Sequence, residues 1–360
     1  MKPITIGFSI HRSEVIDIAA DLMQRHDVIF LEEPPANGLQ EMLQGALPID
    51  DYLLPAEVEY PQFSRRLCRL LRDLYQKGKK IIQVEPFLEH LLAIHTFFSQ
   101  GHRPEELQPD SVHHQVYQAE RDATKALLDY YQIVMNGSFK VAIQAIIRFA
   151  RADAARFRLR DSLRARVLAA ELNKGSSAFI EAGVIHLALY HLLKKRLPQS
   201  LQLKPVFLAR KALKILGVKG HLFGPGDRLT LTYIFHPRIH GTLTEELLAA
   251  RSVIYSKLIE KEEVSVDLET FPHIRNELAC IRTVNLLTLE DCDRLFPLIR
   301  RFKTEHARQL VDDYLVRIKQ FPRQSRRPPS AGDELREIDK DKQPNLYEHA
   351  VARILSRERR

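Results

Sequence analysis

Ile4-Thr5-Ile6-Gly7-Phe8-Ser9-Ile10-His11 is a short apolar run that ends on a histidine, and the fold is read outward from it. Ser13 follows as a candidate helix cap. Val15, Ile18, Ala19 and Leu22 then recur at i, i+3, i+4 and i+7, the spacing of one buried helical stripe. Val28-Ile29-Phe30-Leu31 is a second compact strand of the buried type, broken by Glu32-Glu33-Pro34-Pro35. After a proline-rich loop, Leu67, Leu70, Leu71 and Leu74 mark one face of a helix, and Gly78 stands where a left-handed C-terminal cap belongs. Ile81-Ile82-Gln83-Val84 is the third strand and ends at Glu85-Pro86. Short apolar strands separated by amphipathic helices predict an α/β fold, a parallel-type sheet flanked by helices.

Residues 87–172 read as a helical insertion, with loops near Gly101–Pro109 and at Asn136-Gly137. Its last stretch carries Arg151, Arg156, Arg158, Arg160, Arg164 and Arg166. Strand character returns at Ser177–Ala182, and a helix runs from about His186 to Arg196, stopped by Pro198. Pro205–Leu208 reads as a short strand. Leu229–Phe235 (LTLTYIF) reads as a clearer one, led in by a tight turn at Gly224-Pro225-Gly226-Asp227. The predicted organisation is an α/β core over 1–240 with a helical C-terminal region, 241–321, packing on it. A polar, proline-rich linker (322–345) and a short basic terminal helix (346–360) complete the chain.

Hydrophobic residues make up 45% and charged residues 28% of the 360 positions, an ordinary globular composition that excludes fibrous and disordered classes. No run of about 18 apolar residues occurs, and the N-terminus lacks the pattern of a secretory leader, so a cytoplasmic protein with no membrane span is expected. Cys68, Cys280 and Cys292 are odd in number and lack metal-ligand spacing, which fits free thiols in a reducing compartment. The net charge of +8 is spread over many helices. The arginine-rich helix at 148–166 also bears an apolar stripe (Ala154, Ala155, Leu159, Leu163, Val167) and no aromatic platform. It reads as a solvated face on a core helix, and nucleic acid is not the expected partner.

The chemistry lies in what each strand delivers at its carboxyl end. The first delivers His11, the second Glu32 and Glu33, the third Glu85, and the strand at 177–182 leads to Gly183-Val184-Ile185-His186. In open α/β sheets the ligand crevice lies outside the carboxyl ends of the strands, so neighbouring strands would point these groups into one cleft. Imidazole and carboxylate together suit Zn, Mn, Co or Fe. His186 at a helix start is expected to be neutral, since the positive end of the helix dipole disfavours imidazolium. Gly183 lets the backbone approach a ligand closely.

A strand into His, a second strand into Glu and a late G-x-x-H together resemble the TraB–Tiki superfamily, which includes erythromycin-esterase-like enzymes and ChaN-like haem-binding proteins. The second motif is matched by Gly183-Val184-Ile185-His186; in the first, Phe8 stands where the family's glycine would be. Glu32 in FLEEPP matches the acidic position, and Arg160 in LRDSLRARVLAAEL matches the family's upstream arginine. The resemblance covers about residues 4–195. It implies a metal-dependent hydrolase of an amide or ester bond, with His11, Glu32 and His186 at a divalent transition metal and metal-bound water as nucleophile. Glu32 would be ligand or general base, Arg160 would stabilise the developing oxyanion, and Glu85 would assist proton transfer. The substrate would be a peptide or small molecule.

Two other readings stay open. One is a non-catalytic metal- or haem-binding protein, in line with the ChaN-like branch. The other is an interaction or nucleic-acid-associated protein using the basic helix and the C-terminal tail. Neither a phosphate-binding G-x-x-x-x-G-K-[ST] loop, a G-x-S-x-G elbow nor an H-E-x-x-H pair occurs. His186 and His191, five apart on one helix, diverge by about 140° and cannot share a metal; the adjacent His113 and His114 point to different faces.

Overall fold

In the computed structural model, which describes residues 3–56, 58–264 and 270–320, five parallel strands form one sheet. They are β1 (Ile4–Ser9), β2 (Val28–Leu31), β3 (Lys80–Gln83), β4 (Ala178–Gly183) and β5 (Leu203–Phe207), in the order β3-β2-β4-β1-β5. The protein is therefore α/β with a parallel sheet and extensive flanking helices, as the strand–helix alternation predicts. The predicted linker and terminal helix beyond residue 321 lie outside the described residues.

The helices run in chain order. Those interleaved with the first three strands are α1 (Ile16–Met23), α2 (Leu39–Gln44), α3 (Ile49–Leu53) and α4 (Pro61–Gln76). The insertion comprises α5 (Pro86–Ser99), α6 (Val112–Asn136) and the 34-residue α7 (Phe139–Leu172). Next come α8 (Leu187–Arg196), α9 (Ala209–Ile215), α10 (Pro225–Phe235), α11 (Leu243–Leu258), α12 (Pro272–Asn285), α13 (Leu289–Ile299) and α14 (Thr304–Gln320). Gly78, at φ 80°, closes α4 in the left-handed conformation its position predicts.

Every residue of β1, β2 and β4 is buried, because the sheet is covered on both faces. Alternate residues divide between two cores. Ile4, Ile6, Phe8 and Ile180 point to the α7, α8, α10 and α11 side, where α13 and α14 also pack. Ile29, Leu31 and Phe179 point to the side of α1, α4 and α9. Phe8 packs its ring 5.0 Å from Phe207 inside the first core.

The strand order creates a switch point. From β1 the chain crosses one face through α1 and reaches β2 beyond β4; from β4 it crosses the other face through α8 and reaches β5 beyond β1. Connections leave the adjacent strands β1 and β4 in opposite directions, which opens a crevice at their carboxyl ends. Their register pairs Gly7 with Glu181 and Ser9 with Gly183, so both strands stop at one level.

Three local expectations are corrected. LTLTYIF is not a strand but the body of α10, and Gly224-Pro225-Gly226-Asp227 is that helix's start rather than a hairpin turn. Pro225 occupies the first turn, the Asp227 carboxylate accepts from the Gly224 N–H at 2.9 Å, and Leu229, Leu231, Tyr233 and Ile234 are all buried. An apolar run buried nearly all round has no periodicity to separate the two states. Ser13 caps no helix: it lies in a 3₁₀ turn, Ser13–Val15, and its hydroxyl points to Glu263. Most of the α7 arginines are not a solvated face, although Arg148 and Arg166 are exposed. Arg164 is 1% exposed, Arg158 donates to the Tyr233 carbonyl, Arg151 pairs with Glu245, and Arg156 with Asp153 and Glu120.

Cys68, Cys280 and Cys292 are buried free thiols, and burial pushes Cys68 and Cys292 up to about 12, so none is poised as a nucleophile. Among the described residues no helix is long and apolar enough to cross a membrane.

Candidate functional site

Three side chains from three strand ends meet around one glycine. A Cβ placed on Gly183 would stand 3.3 Å from His11 Cε1, 3.4 Å from His186 Cδ2 and 3.6 Å from Glu32 Oε2. Gly183 closes β4, Glu32 directly follows β2, and His11 lies two residues beyond β1. The absent side chain leaves the room in which they converge.

Glu32 replaces the β2–β4 ladder where it ends. Its Oε2 accepts from the Gly183 N–H at 2.5 Å, and its Oε1 faces His186 Nε2 at 2.7 Å. His186, buried at the start of α8, sets its Nδ1 2.5 Å from Asp161 Oδ1. The other Asp161 oxygen accepts from Leu189 N–H at 3.0 Å and so caps the first turn of α8. The result is a buried Asp161–His186–Glu32 chain.

Helix α7 supplies the counter-charges from successive turns. Arg160 Nη2 lies 3.3 Å from both Glu32 Oε1 and Glu85 Oε2. Glu85 is fully buried where β3 passes into α5, with the Arg160 guanidinium as the cation beside its carboxylate. Arg164 donates to the Val84 and Glu181 carbonyls at 2.9 and 2.7 Å, with Nη1 3.5 Å from Glu32 Oε2. One guanidinium thus ties the ends of two strands to the helix.

These neighbours decide the protonation states. Burial pushes the Glu32 carboxyl up, but His186, Arg164 and Arg160 outweigh it and hold it well below the usual carboxylate range. Burial pulls His186 down, but the charges and hydrogen bonds of Glu32 and Asp161 raise it to about 9. The expectation of a neutral His186 is therefore reversed, since a helix terminus contributes at most about 2 kcal/mol and two carboxylates in contact outweigh it. His11 is lowered, first by burial and then by the His186, Arg164 and Arg160 charges, with Glu32 opposing. Glu181 is pushed up to about 8 by burial together with Glu33 and Glu32.

The structure brings together all five residues singled out from sequence: His11, Glu32, Glu85, Arg160 and His186. His11 stands somewhat apart, its Nε2 facing Glu181 Oε1 at 3.8 Å and its ring 5.6 Å from Phe63. It adopts a left-handed φ of 50°, which costs a non-glycine residue energy, and its N–H is held by Ser9 Oγ at 3.0 Å. Among the described residues no group of three or more His, Cys, Asp or Glu side chains is arranged to hold a metal ion. Asp161, Arg164 and Glu181 were missed. An acid inside the buried run AFIEAG was the available signal for Glu181; Asp161 and Arg164 were hidden in a helix read as solvated.

An uncharacterized protein of Archaeoglobus fulgidus is similar to this chain at 29% identity over 286 residues, covering 79% of this chain and 94% of its own. No family model matches the chain. No solved structure matches it significantly.

Proposed function

We propose that the cluster at the carboxyl ends of β1, β2 and β4 is the active site of a hydrolase of an amide or ester bond, with a divalent transition metal as cofactor. The observation that carries this reading is the convergence of His11, Glu32 and His186 around Gly183 at the switch point of the sheet. The resemblance to the TraB–Tiki superfamily supports it.

The donor types, imidazole and carboxylate, suit such a cation, and Glu32 and His186, in direct contact at 2.7 Å, would have to part to admit it. His186 carries a carboxylate on Nδ1 and turns Nε2 toward Glu32, the arrangement by which ligating histidines are oriented. Glu32 and His186 would hold the ion, with His11 as a third donor. When bound, the metal supplies a Lewis acid and lowers the pKa of a coordinated water.

The remaining roles belong to the chain itself. Glu32, ionised across the physiological range, is better suited to holding a cation than a proton. His11, held below its ordinary pKa and 36% exposed at the crevice, keeps the neutral imidazole that a third donor needs. Arg160 places positive charge at the same edge, where an anionic oxygen would form, and Glu85 fixes its guanidinium from the other side.

The test is metal content of purified protein, followed by ester and peptide hydrolysis with Zn, Mn, Co or Fe added singly. The expected result is one metal per chain in wild type, loss of that metal in the Glu32→Gln and His186→Ala variants, and metal-dependent turnover. Absence of stoichiometric metal, with no metal altering hydrolysis, sinks the proposal.

A further inference from the structure

The Gly224-Pro225-Gly226-Asp227 segment borders a second polar cavity, of about 220 Å³, that the hydrolase reading does not use. Its walls include Arg12, Asp227, Tyr255, Glu260, His273 and Glu277, drawn from the loop after β1 and from α10, α11, α12 and their connections. Both glycines of the segment are required by close packing. A Cβ on Gly224 would stand 3.2 Å from the Tyr255 ring and 3.4 Å from Asp227 Oδ2, and one on Gly226 would stand 2.9 Å from Ser252 Oγ. The helix start is thereby pressed against α11, with Asp227 and Tyr255 together at the cavity.

The cavity carries charges of both signs. Asp227 and Glu277 both line it, and Glu277 is held protonated to about pH 8 by burial first and then by the neighbouring Asp227 charge. Tyr255 donates its hydroxyl to Glu277. Arg12, whose charge favours the ionised form of Glu277, lies over the Tyr60 ring, its guanidinium carbon 3.7 Å from the ring centroid. The Arg12 side chain also hydrogen-bonds Tyr60, while its buried Nη1 has no hydrogen-bond partner among the described residues. An unmatched buried guanidinium nitrogen costs free energy that an anionic group would recover, and two crowded acids gain from a cation between them.

The His273 ring does not fill the cationic role. Its Nε2 accepts from Val264 N–H at 2.8 Å, and its pKa is lowered by burial, so it is neutral. The volume matches roughly seven waters at about 30 Å³ each, room for a molecule the size of a small dipeptide.

We infer that this cavity binds a small zwitterion, a free amino acid or short peptide, with its ammonium group on Asp227 and Glu277 and its carboxylate on Arg12. The inference does not depend on hydrolysis at the sheet edge, because its test reads binding alone.

The experiment is titration calorimetry on the full chain with L-alanyl-glycine, N-acetyl-L-alanyl-glycine and L-alanyl-glycinamide as probes. The zwitterion should bind saturably. Removal of the ammonium or of the carboxylate should each weaken binding about tenfold or more, the scale of one charge-assisted hydrogen bond. Asp227→Asn should lose affinity for alanyl-glycine and alanyl-glycinamide alike. Arg12→Gln should lose affinity for alanyl-glycine while leaving that for alanyl-glycinamide unchanged. Because Asp227 also caps α10, Glu277→Gln serves as the second acidic variant, with circular dichroism confirming the fold. Equal binding of all three probes, no saturable binding of any, or unchanged affinity in both Glu277→Gln and Arg12→Gln overturns the assignment.

Discussion

Asp161 on α7 and His186 at the start of α8 are 25 residues apart and meet through a 2.5 Å contact between Oδ1 and Nδ1, both groups buried. With Glu32 on Nε2 at 2.7 Å, the imidazolium bridges two carboxylates.

That bridge sets an alkaline limb to the stability. His186 rises from 6.5 to about 9 on folding, so its contribution is complete below pH 6.5 and is lost as pH rises through about 9. Urea midpoints of the wild type are expected to fall across that window. Asp161→Asn removes one charge from the bridge, costs about 3 kcal/mol near neutral pH, and flattens the alkaline limb. Imidazole proton shifts followed by NMR should titrate at lower pH in the variant; an unchanged titration overturns the bridging role.

Glu181 acts on the same limb through the opposite chemistry. It is an acid raised from 4.5 to about 8, chiefly by burial, so the folded chain keeps a proton that the unfolded chain releases. Its presence lowers stability progressively from pH 4.5 to about 8, after which the penalty is constant. Glu181→Gln should therefore be more stable than wild type at pH 8, by at least about 1 kcal/mol, since one pKa unit corresponds to about 1.4 kcal/mol. The two proteins should converge near pH 4.5. Parallel urea midpoints across that range would contradict the burial argument.

Arg164 and Arg160, one helical turn apart, separate stability from site chemistry. Arg164 is buried and donates to two strand-end carbonyls, so Arg164→Met orphans both acceptors and part of the Glu32 charge. A loss of 3–5 kcal/mol is expected. Arg160, 16% exposed, pairs with the Glu32 and Glu85 carboxylates and donates to no strand-end carbonyl among the described residues, so Arg160→Met should cost less than Arg164→Met in thermal unfolding. It should instead cut turnover about 10²-fold or more, the scale of losing one donor to a developing oxyanion. An equal loss of stability in both variants contradicts this division.

The strand-end residues were legible because they stand where periodicity stops: His11, Glu32 and Glu85 each follow a short apolar run, and a parallel sheet brings such ends to one edge. What position along the chain could not convey was strand order. Only β4 lying between β1 and β2 places His186 against Glu32. Asp161 was invisible for a related reason: its neighbours Arg158, Arg160 and Arg164 look like a solvated row until the helix is laid across the sheet. LTLTYIF was misread because burial on all sides erases the period that tells a helix from a strand.

Two glycines distinguish crowding in the core from crowding at the site. At Gly7, in β1, a Cβ would stand 2.2 Å from Phe179 Cζ and 2.8 Å from Cε2, and the Phe179 ring is itself completely buried. Gly7→Ala must displace a core aromatic, with an expected cost at or above the 1–3 kcal/mol usual for overpacking. At Gly183 the three nearest atoms would lie 3.3 to 3.6 Å away and belong to His11, His186 and Glu32 side chains, which need give only a few tenths of an ångström. Gly183→Ala should therefore fold with a midpoint within about 1 kcal/mol of wild type. Metal affinity and turnover should nevertheless fall, since the substitution spreads those three groups. Comparison of Gly7→Ala and Gly183→Ala by urea unfolding, with metal titration on the latter, checks both halves. A Gly183→Ala protein with wild-type metal affinity and turnover would show that the space above this glycine is not where the chemistry takes place.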